Sequence, residues 1–272
     1  MSKSKQIIFI ISLLIASWSD PAASSPPESS CGEGRVPGHA VIVLIDYTDR
    51  IAEAALMEAA HALHRYRDEL KQDDRLTVLA LYASASNQDA VLDSIFSACK
   101  PQPPETANRW IQNPRKIKER YEAAWNTPLT EIASVLSQFN SNRAATSPLL
   151  QVLEQIANAS EFKGQQRTLV LFSDLLEHTA LYSMYDGAPD FQALRDKRFA
   201  WAHIEGLFQN TDVHITRLAN PERSRHQTPA VERFWLNYFA GAGVDSSRMT
   251  LNNLDRQKPG SGPVPGTSRS PR

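Results

Sequence analysis

Five consecutive apolar residues, Val41-Ile42-Val43-Leu44-Ile45, end abruptly in Asp46-Tyr47-Thr48-Asp49. An unbroken, mostly β-branched run of this length predicts a strand buried on both faces, as in a parallel sheet covered by helices. A helical pattern is expected to start at once, near Arg50-Ile51. In open α/β sheets the turn after the carboxyl end of a strand is where ligands bind. Asp46, Thr48 and Asp49 therefore stand where metal binding or chemistry would be placed.

The rest of the chain repeats the alternation. Apolar positions from Ile51 to Leu70 recur at helical spacing, and Leu76–Leu81 reads as a second buried strand. Val91–Phe96 is a short edge strand leading to Cys99. Pro101, Pro103 and Pro104 break the chain, and a helical region from Pro114 to Phe139 is expected to bend or divide at Thr127-Pro128, because a residue before proline resists the helical conformation. Ser147-Pro148 opens another helix, with Pro148 at its first position. Thr168–Ser173 is a further central strand, and it stops at Asp174 as the first stops at Asp46. After a long loop, Leu175 to Pro189, a helix is predicted around Phe199, Ile204, Leu207 and Phe208, then a strand over Asp212–Leu218. An amphipathic helix carries Val231, Phe234, Trp235, Tyr238 and Phe239, with Gly243 placed to cap it, and Met249–Leu254 is a last strand. This pattern predicts an α/β fold: a doubly wound, mostly parallel sheet flanked by helices on both faces. Right-handed crossovers then bring Asp46, Thr48, Ser147 and Asp174 toward one rim.

Net charge of −1 over 272 residues gives no strongly basic balance that would point to nucleic acid or to an anionic membrane surface, and 42% hydrophobic residues are enough for a full core. Lys3 and Lys5 followed by the apolar stretch Ile7–Ala16 read as an export signal, too short to span a bilayer, with cleavage expected after Ser24. An uncleaved anchor is the alternative, and would be the one membrane contact. Glu28-Ser29-Ser30 before Cys31 lacks the apolar residue of a lipoprotein signal. The expected organisation is a signal peptide at 1–24, a linker at 25–36, the α/β domain at 37–254 and a disordered tail at 255–272. The location is periplasmic or secreted. Cys31 and Cys99 are the only two cysteines, and an even pair in an exported chain predicts one disulfide.

Two carboxylates and two hydroxyls, Asp46, Thr48, Ser147 and Asp174, make an oxygen-only set suited to a hard divalent cation, Mg²⁺ above all. Each has a plainer reading. Thr48 or Asp49 would cap the helix that follows, Ser147 would cap the helix at Pro148, and Asp174 would accept loop amides. His61 and His64 lie three apart on a helix with no further ligand pattern, and read as solvated. Glu177 and His178 follow Asp174 on the same rim, with Asp49 and Arg50 opposite, as a candidate partner-binding edge. No glycine-rich phosphate loop is present, which removes the nucleotide-binding readings.

Asp46-Tyr47-Thr48, Ser147-Pro148-Leu149 before a helix and Ser173-Asp174 after a strand resemble, in that order, the metal-ion-dependent adhesion site of the von Willebrand factor type A domain. The resemblance runs from about Pro37 to Leu254. It implies that Asp46 and Thr48 match the first Asp and Ser of the Asp-x-Ser-x-Ser motif, Ser147 its Thr and Asp174 its last Asp. Arg50 stands where the second Ser is expected, removing one hydroxyl and adding a cation, so the site is degenerate; Asp49 is an added carboxylate. The implied function is an exported, non-enzymatic binding module that engages a protein or envelope partner through a rim holding Mg²⁺. A metal-free scaffold is the alternative that Arg50 favours. The chain also resembles, more weakly, haloacid dehalogenase-like phosphotransferases, whose first strand ends in a nucleophilic Asp. Thr48 stands where their second acid should be, and no later acid pair supplies magnesium.

Overall fold

The computed structural model describes residues 31, 36–108, 110–139, 143–196 and 204–253. The proposed leader, nearly all of the linker and the tail lie outside the described residues. Six strands form one sheet: β1 (His39–Tyr47), β2 (Arg75–Ala83), β3 (Ala90–Cys99), β4 (Gln166–Ser173), β5 (Thr211–Arg217) and β6 (Met249–Asn253), in the order β3-β2-β1-β4-β5-β6. All neighbours are parallel except β2 and β3, which form an antiparallel edge. The fold class is the expected one. Among the described residues six helices accompany them: α1 (Glu53–Glu69), α2 (Pro114–Tyr121), α3 (Thr127–Ser137), α4 (Leu149–Asn158), α5 (Phe191–Asp196) and α6 (Pro229–Gly241).

The continuous apolar run in β1 is divided between two cores. Ile42 and Leu44 pack with α4 and α6, whereas Val41, Val43, Ile45 and Tyr47 pack with α1 and α3. Side chains alternate along a strand, so a strand covered on both faces needs an apolar residue at every position. The aromatic stripe Phe234, Trp235, Tyr238 and Phe239 is fully buried in the first core, as its spacing predicts. Gly243, at φ +96°, closes α6: Val244 N–H donates to the Phe239 carbonyl at 2.9 Å and Gly243 N–H to that of Ala240 at 3.1 Å. That paired pattern needs a left-handed residue at Gly243.

Several boundaries differ from expectation. α1 begins at Glu53, and its N-cap is Ala52, with no side-chain cap, so neither Thr48 nor Asp49 caps it. Pro148 is the N-cap of α4 rather than its first residue, and Ser147 does not cap it. The expected break at Thr127-Pro128 is a π-helical stretch, Glu122–Asn126, that joins α2 to α3 without a stop. Proline cannot donate the bond an α-helix requires of it, and a wider turn accommodates the loss. Residues 204–210 form turns, not the predicted helix, although Ile204 and Phe208 are buried; Phe199 lies outside the described residues.

Cys31 and Cys99 are joined by a disulfide, with Cα atoms 5.4 Å apart. It ties the segment ahead of the domain to the end of β3.

Candidate functional site

The strand order reverses between β1 and β4, since β2 lies to one side of this pair and β5 to the other. Such a switch point opens a crevice outside the carboxyl ends of the two strands. Asp46 stands at the end of β1, and Ser173-Asp174 at the end of β4. The loop after β5 adds Asn220.

Asp46 is buried and its carboxylate is fully engaged. Oδ1 accepts from Thr48 N–H at 2.9 Å and from the Thr48 hydroxyl at 2.6 Å, and Oδ2 accepts from the Ser173 hydroxyl at 2.7 Å. Ser173 Oγ in turn accepts from Leu175 N–H at 2.8 Å. Asp174 accepts from Leu176 N–H at 3.0 Å and, through Oδ2, from Asn220 at 2.8 Å. These bonds hold Leu175 at φ +65°, uncommon for a branched side chain, with its carbonyl accepting from the Trp235 indole at 2.8 Å. Asn220 Nδ2 also donates to Asp49 Oδ2 at 2.9 Å. One amide thus bridges two acidic residues on different strand ends.

The electrostatics follow from this crowding. Burial raises the pKa of Asp46, and its hydrogen bonds to Thr48 and Ser173 oppose that rise. Burial and the neighbouring Asp46 charge raise Asp174, against the bond from Asn220. Two buried carboxylates that disfavour each other's charge are stabilised by a cation.

Ser147 is brought to the same crevice by a short two-stranded contact with His178, in which each backbone N–H donates to the other's carbonyl at 2.9 and 3.0 Å. The Ser147 hydroxyl is buried and has no hydrogen-bond partner among the described residues. It lines a cavity of about 390 Å³ together with Thr48, Asp49, Arg143, His178 and Arg223. All four expected ligands are therefore near one end of the sheet, with Thr48 common to this cavity and to a small one shared by Asp46, Asp174 and Asn220. Among the described residues, no group of three or more His, Cys, Asp or Glu side chains is set to hold a metal. A cation here would draw on hydroxyls, and the unpartnered buried Ser147 Oγ, on a cavity that shares Thr48 and Asp49 with that of the two carboxylates, fits that need.

The rim differs from expectation at Glu177. Glu177 is buried, not on the rim: its carboxylate accepts from Leu150 N–H at 2.9 Å, in the first turn of α4, and burial pushes its pKa up to about 8. Arg50 is exposed, and its side chain forms no ion pair among the described residues. Arg143 pairs with both Asp49 and Glu222. Ser173, Asn220 and Arg143 are contributors that the sequence reading did not assign to the site. Asn220 had a legible signal, a polar residue just past a strand end, as Asp46 and Asp174 have. His178 stays at the cavity wall, its ring nitrogen 3.1 Å from the Ser183 hydroxyl.

No protein-family model matches the sequence, and no curated protein matches it. Among solved structures, an aerotolerance-related membrane protein from Bacteroides fragilis is similar at 12% identity, over 76% of this chain and 92% of that one, with a TM-score of 0.34. The pilus adhesin SpaC from Lactobacillus rhamnosus GG is similar at 10% identity, over 80% of this chain and 28% of that one, with a TM-score of 0.42. The VWA domain of SpRpn10 is similar at 11% identity, over 80% of this chain and 88% of that one, with a TM-score of 0.31. The doubly wound, mostly parallel sheet that the von Willebrand factor A resemblance implies is the fold observed.

Proposed function

We propose that this chain is an exported binding module of the von Willebrand factor A kind. It engages a protein or envelope partner through the crevice between β1 and β4, where Thr48, Ser147, Asp46 and Asp174 hold Mg²⁺. The observation that carries the reading is the buried, unpartnered Ser147 hydroxyl. A buried polar group left unsatisfied costs about 1–3 kcal/mol, so a fold that keeps one favours a ligand for it. When bound, the cation supplies positive charge to two buried carboxylates and an open coordination position for an acidic group of the partner. The residues of the chain orient it. Ser173 and Thr48 fix the Asp46 carboxylate, and Asn220 and Leu176 fix that of Asp174.

Calorimetric titration of the protein with Mg²⁺ tests the reading, together with capture of partners from envelope extract with and without chelator. Heat of binding and chelator-sensitive capture support it. No magnesium binding at millimolar concentration removes the metal.

The metal-free scaffold is a second reading, favoured by a specific observation. Both Asp46 oxygens and both Asp174 oxygens already accept hydrogen bonds from the protein. The same engagement argues against the phosphotransferase reading, since a carboxylate held by three donors is a poor nucleophile.

A further inference from the structure

We propose that the chain carries a peripheral docking surface for an anionic phospholipid bilayer, formed by Trp110, Ile111 and the outer face of α2, at the pole of the sheet opposite the crevice. Trp110 is 95% exposed and Ile111 81% exposed, two large apolar side chains adjacent in sequence. Isolated exposed apolar residues are ordinary; an adjacent pair beside a cationic helix is not.

The loop that presents them is built. Gln102 and Gln112 exchange side-chain amide bonds at 3.2 and 3.0 Å, Asn108 N–H donates to Gln112 at 2.7 Å, and Trp110 N–H donates to Asn108 at 3.0 Å. The Asn108 and Trp110 N–H groups are engaged in this way while both apolar side chains face solvent. Asn113 then caps α2, accepting from Arg115 and Lys116 N–H at 3.0 and 3.3 Å. No residue of α2 is buried, and Arg115, Lys116, Lys118 and Arg120 are all exposed, against one carboxylate, Glu119, which pairs with Arg115 at 2.8 Å. Glu105 and Glu122 flank this patch. Four of the eight residues of α2 are lysine or arginine.

An exposed apolar pair next in the chain to a helix rich in lysine and arginine offers the two forces that hold a protein at a bilayer surface: burial of Trp and Ile at the headgroup boundary, and attraction to anionic lipid. Tryptophan favours that boundary because its ring is apolar and its N–H is polar. A polynucleotide would use the cations and stack on Trp110, but it offers nothing to the aliphatic Ile111.

Position supports the same occupant. Cys99 pairs with Arg75 at the start of β2, whereas Asp46 pairs with Leu81 near its end, so the loop after β3 leaves from the far pole. Trp125 and Lys100 fasten this region to the Arg67 carbonyl, in the last turn of α1. Cys31 is joined to Cys99 at that pole. A chain resting there turns its crevice away from the lipid. The sequence reading confined membrane contact to a retained leader, and this surface is a second contact, independent of it.

Co-sedimentation of the full chain with vesicles tests the proposal. The vesicles are phosphatidylcholine alone, or phosphatidylcholine with one part in three phosphatidylglycerol. The variants are Trp110→Ser with Ile111→Ser, and Lys116→Glu with Lys118→Glu. A retained leader contributes equally to all of them. Wild type is expected to bind the mixed vesicles in a salt-sensitive way, and each double variant to lose about tenfold or more. Equal binding of wild type to neutral vesicles, or unchanged binding of both variants, overturns it. So does a mobility shift with single-stranded RNA in place of vesicle binding. If a variant does not fold, Trp110→Phe decides: brominated lipid should quench wild-type fluorescence, and equal quenching of the variant rejects insertion of Trp110.

Discussion

The Ser173 hydroxyl donates to Asp46 Oδ2 at 2.7 Å, joining the ends of β1 and β4 across 127 residues of chain. The same oxygen accepts from Leu175 N–H, so one hydroxyl orients the first acid of the crevice and the turn that carries the second. Ser173→Ala leaves a buried carboxylate oxygen and a buried amide without their partner. A loss of about 1–3 kcal/mol of stability is expected, read by urea denaturation with chelator present. An unchanged midpoint would mean that the turn after β4 is held by the sheet alone.

Glu177 gives a pH dependence with a defined sign. Its folded pKa, about 8, lies above the ordinary glutamate value of 4.5 because it is buried. Between those values the folded state holds a proton that the unfolded state has released, so stability falls as pH rises through that window. Asp174 is displaced in the same direction. Glu177→Gln keeps an acceptor for Leu150 N–H and removes the ionisation. Denaturation midpoints between about pH 5 and pH 8 should drop for wild type and be flatter for the variant, the remaining slope belonging to Asp46 and Asp174. Parallel profiles would exclude Glu177 as the source.

The disulfide closes a loop with a sequence separation of 68. Constraining the unfolded chain by that length stabilises the fold by about 4 kcal/mol in the chain-entropy model. Labelling of the unreduced, denatured protein should find no reactive thiol, and Cys99→Ser should lower the denaturation midpoint. Two reactive thiols would place the cysteines apart in the mature protein.

The strands were legible because each is covered on both faces, and double coverage leaves a continuous apolar run with a sharp polar end. Asp46 and Asp174 were legible for the same reason, as the first polar residues after such runs. The helix starts were not, because Ala52 and Pro148 cap α1 and α4 without any side-chain bond, and capping chemistry was the signal read. Glu177 misled because its charge suggested solvent, whereas its carboxylate lies under the first turn of α4. Arg143 was invisible because its partners Asp49 and Glu222 are 94 and 79 positions away, and nothing local marks such a pair.

Ser147→Ala separates the readings of the crevice. If Ser147 were a helix cap, alanine would cost about 1 kcal/mol under all conditions. The hydroxyl has no hydrogen-bond partner among the described residues, so with chelator present the variant is expected to be as stable as wild type, or more so. On the metal reading, Mg²⁺ stabilises wild type by about 1.4 kcal/mol at ten times its dissociation constant, and Ser147→Ala loses most of that gain. The variant then equals or exceeds wild type in chelator and falls below it in magnesium. Asp46→Asn supplies the second arm: it keeps the acceptor for Thr48, reverses the Ser173 bond so that the amide donates to the hydroxyl, removes one of two repelling buried charges, and should abolish the magnesium effect while the metal-free protein still folds. Wild type that gains no stability from millimolar Mg²⁺ leaves the scaffold reading standing, with Ser147 a tolerated defect of the crevice wall.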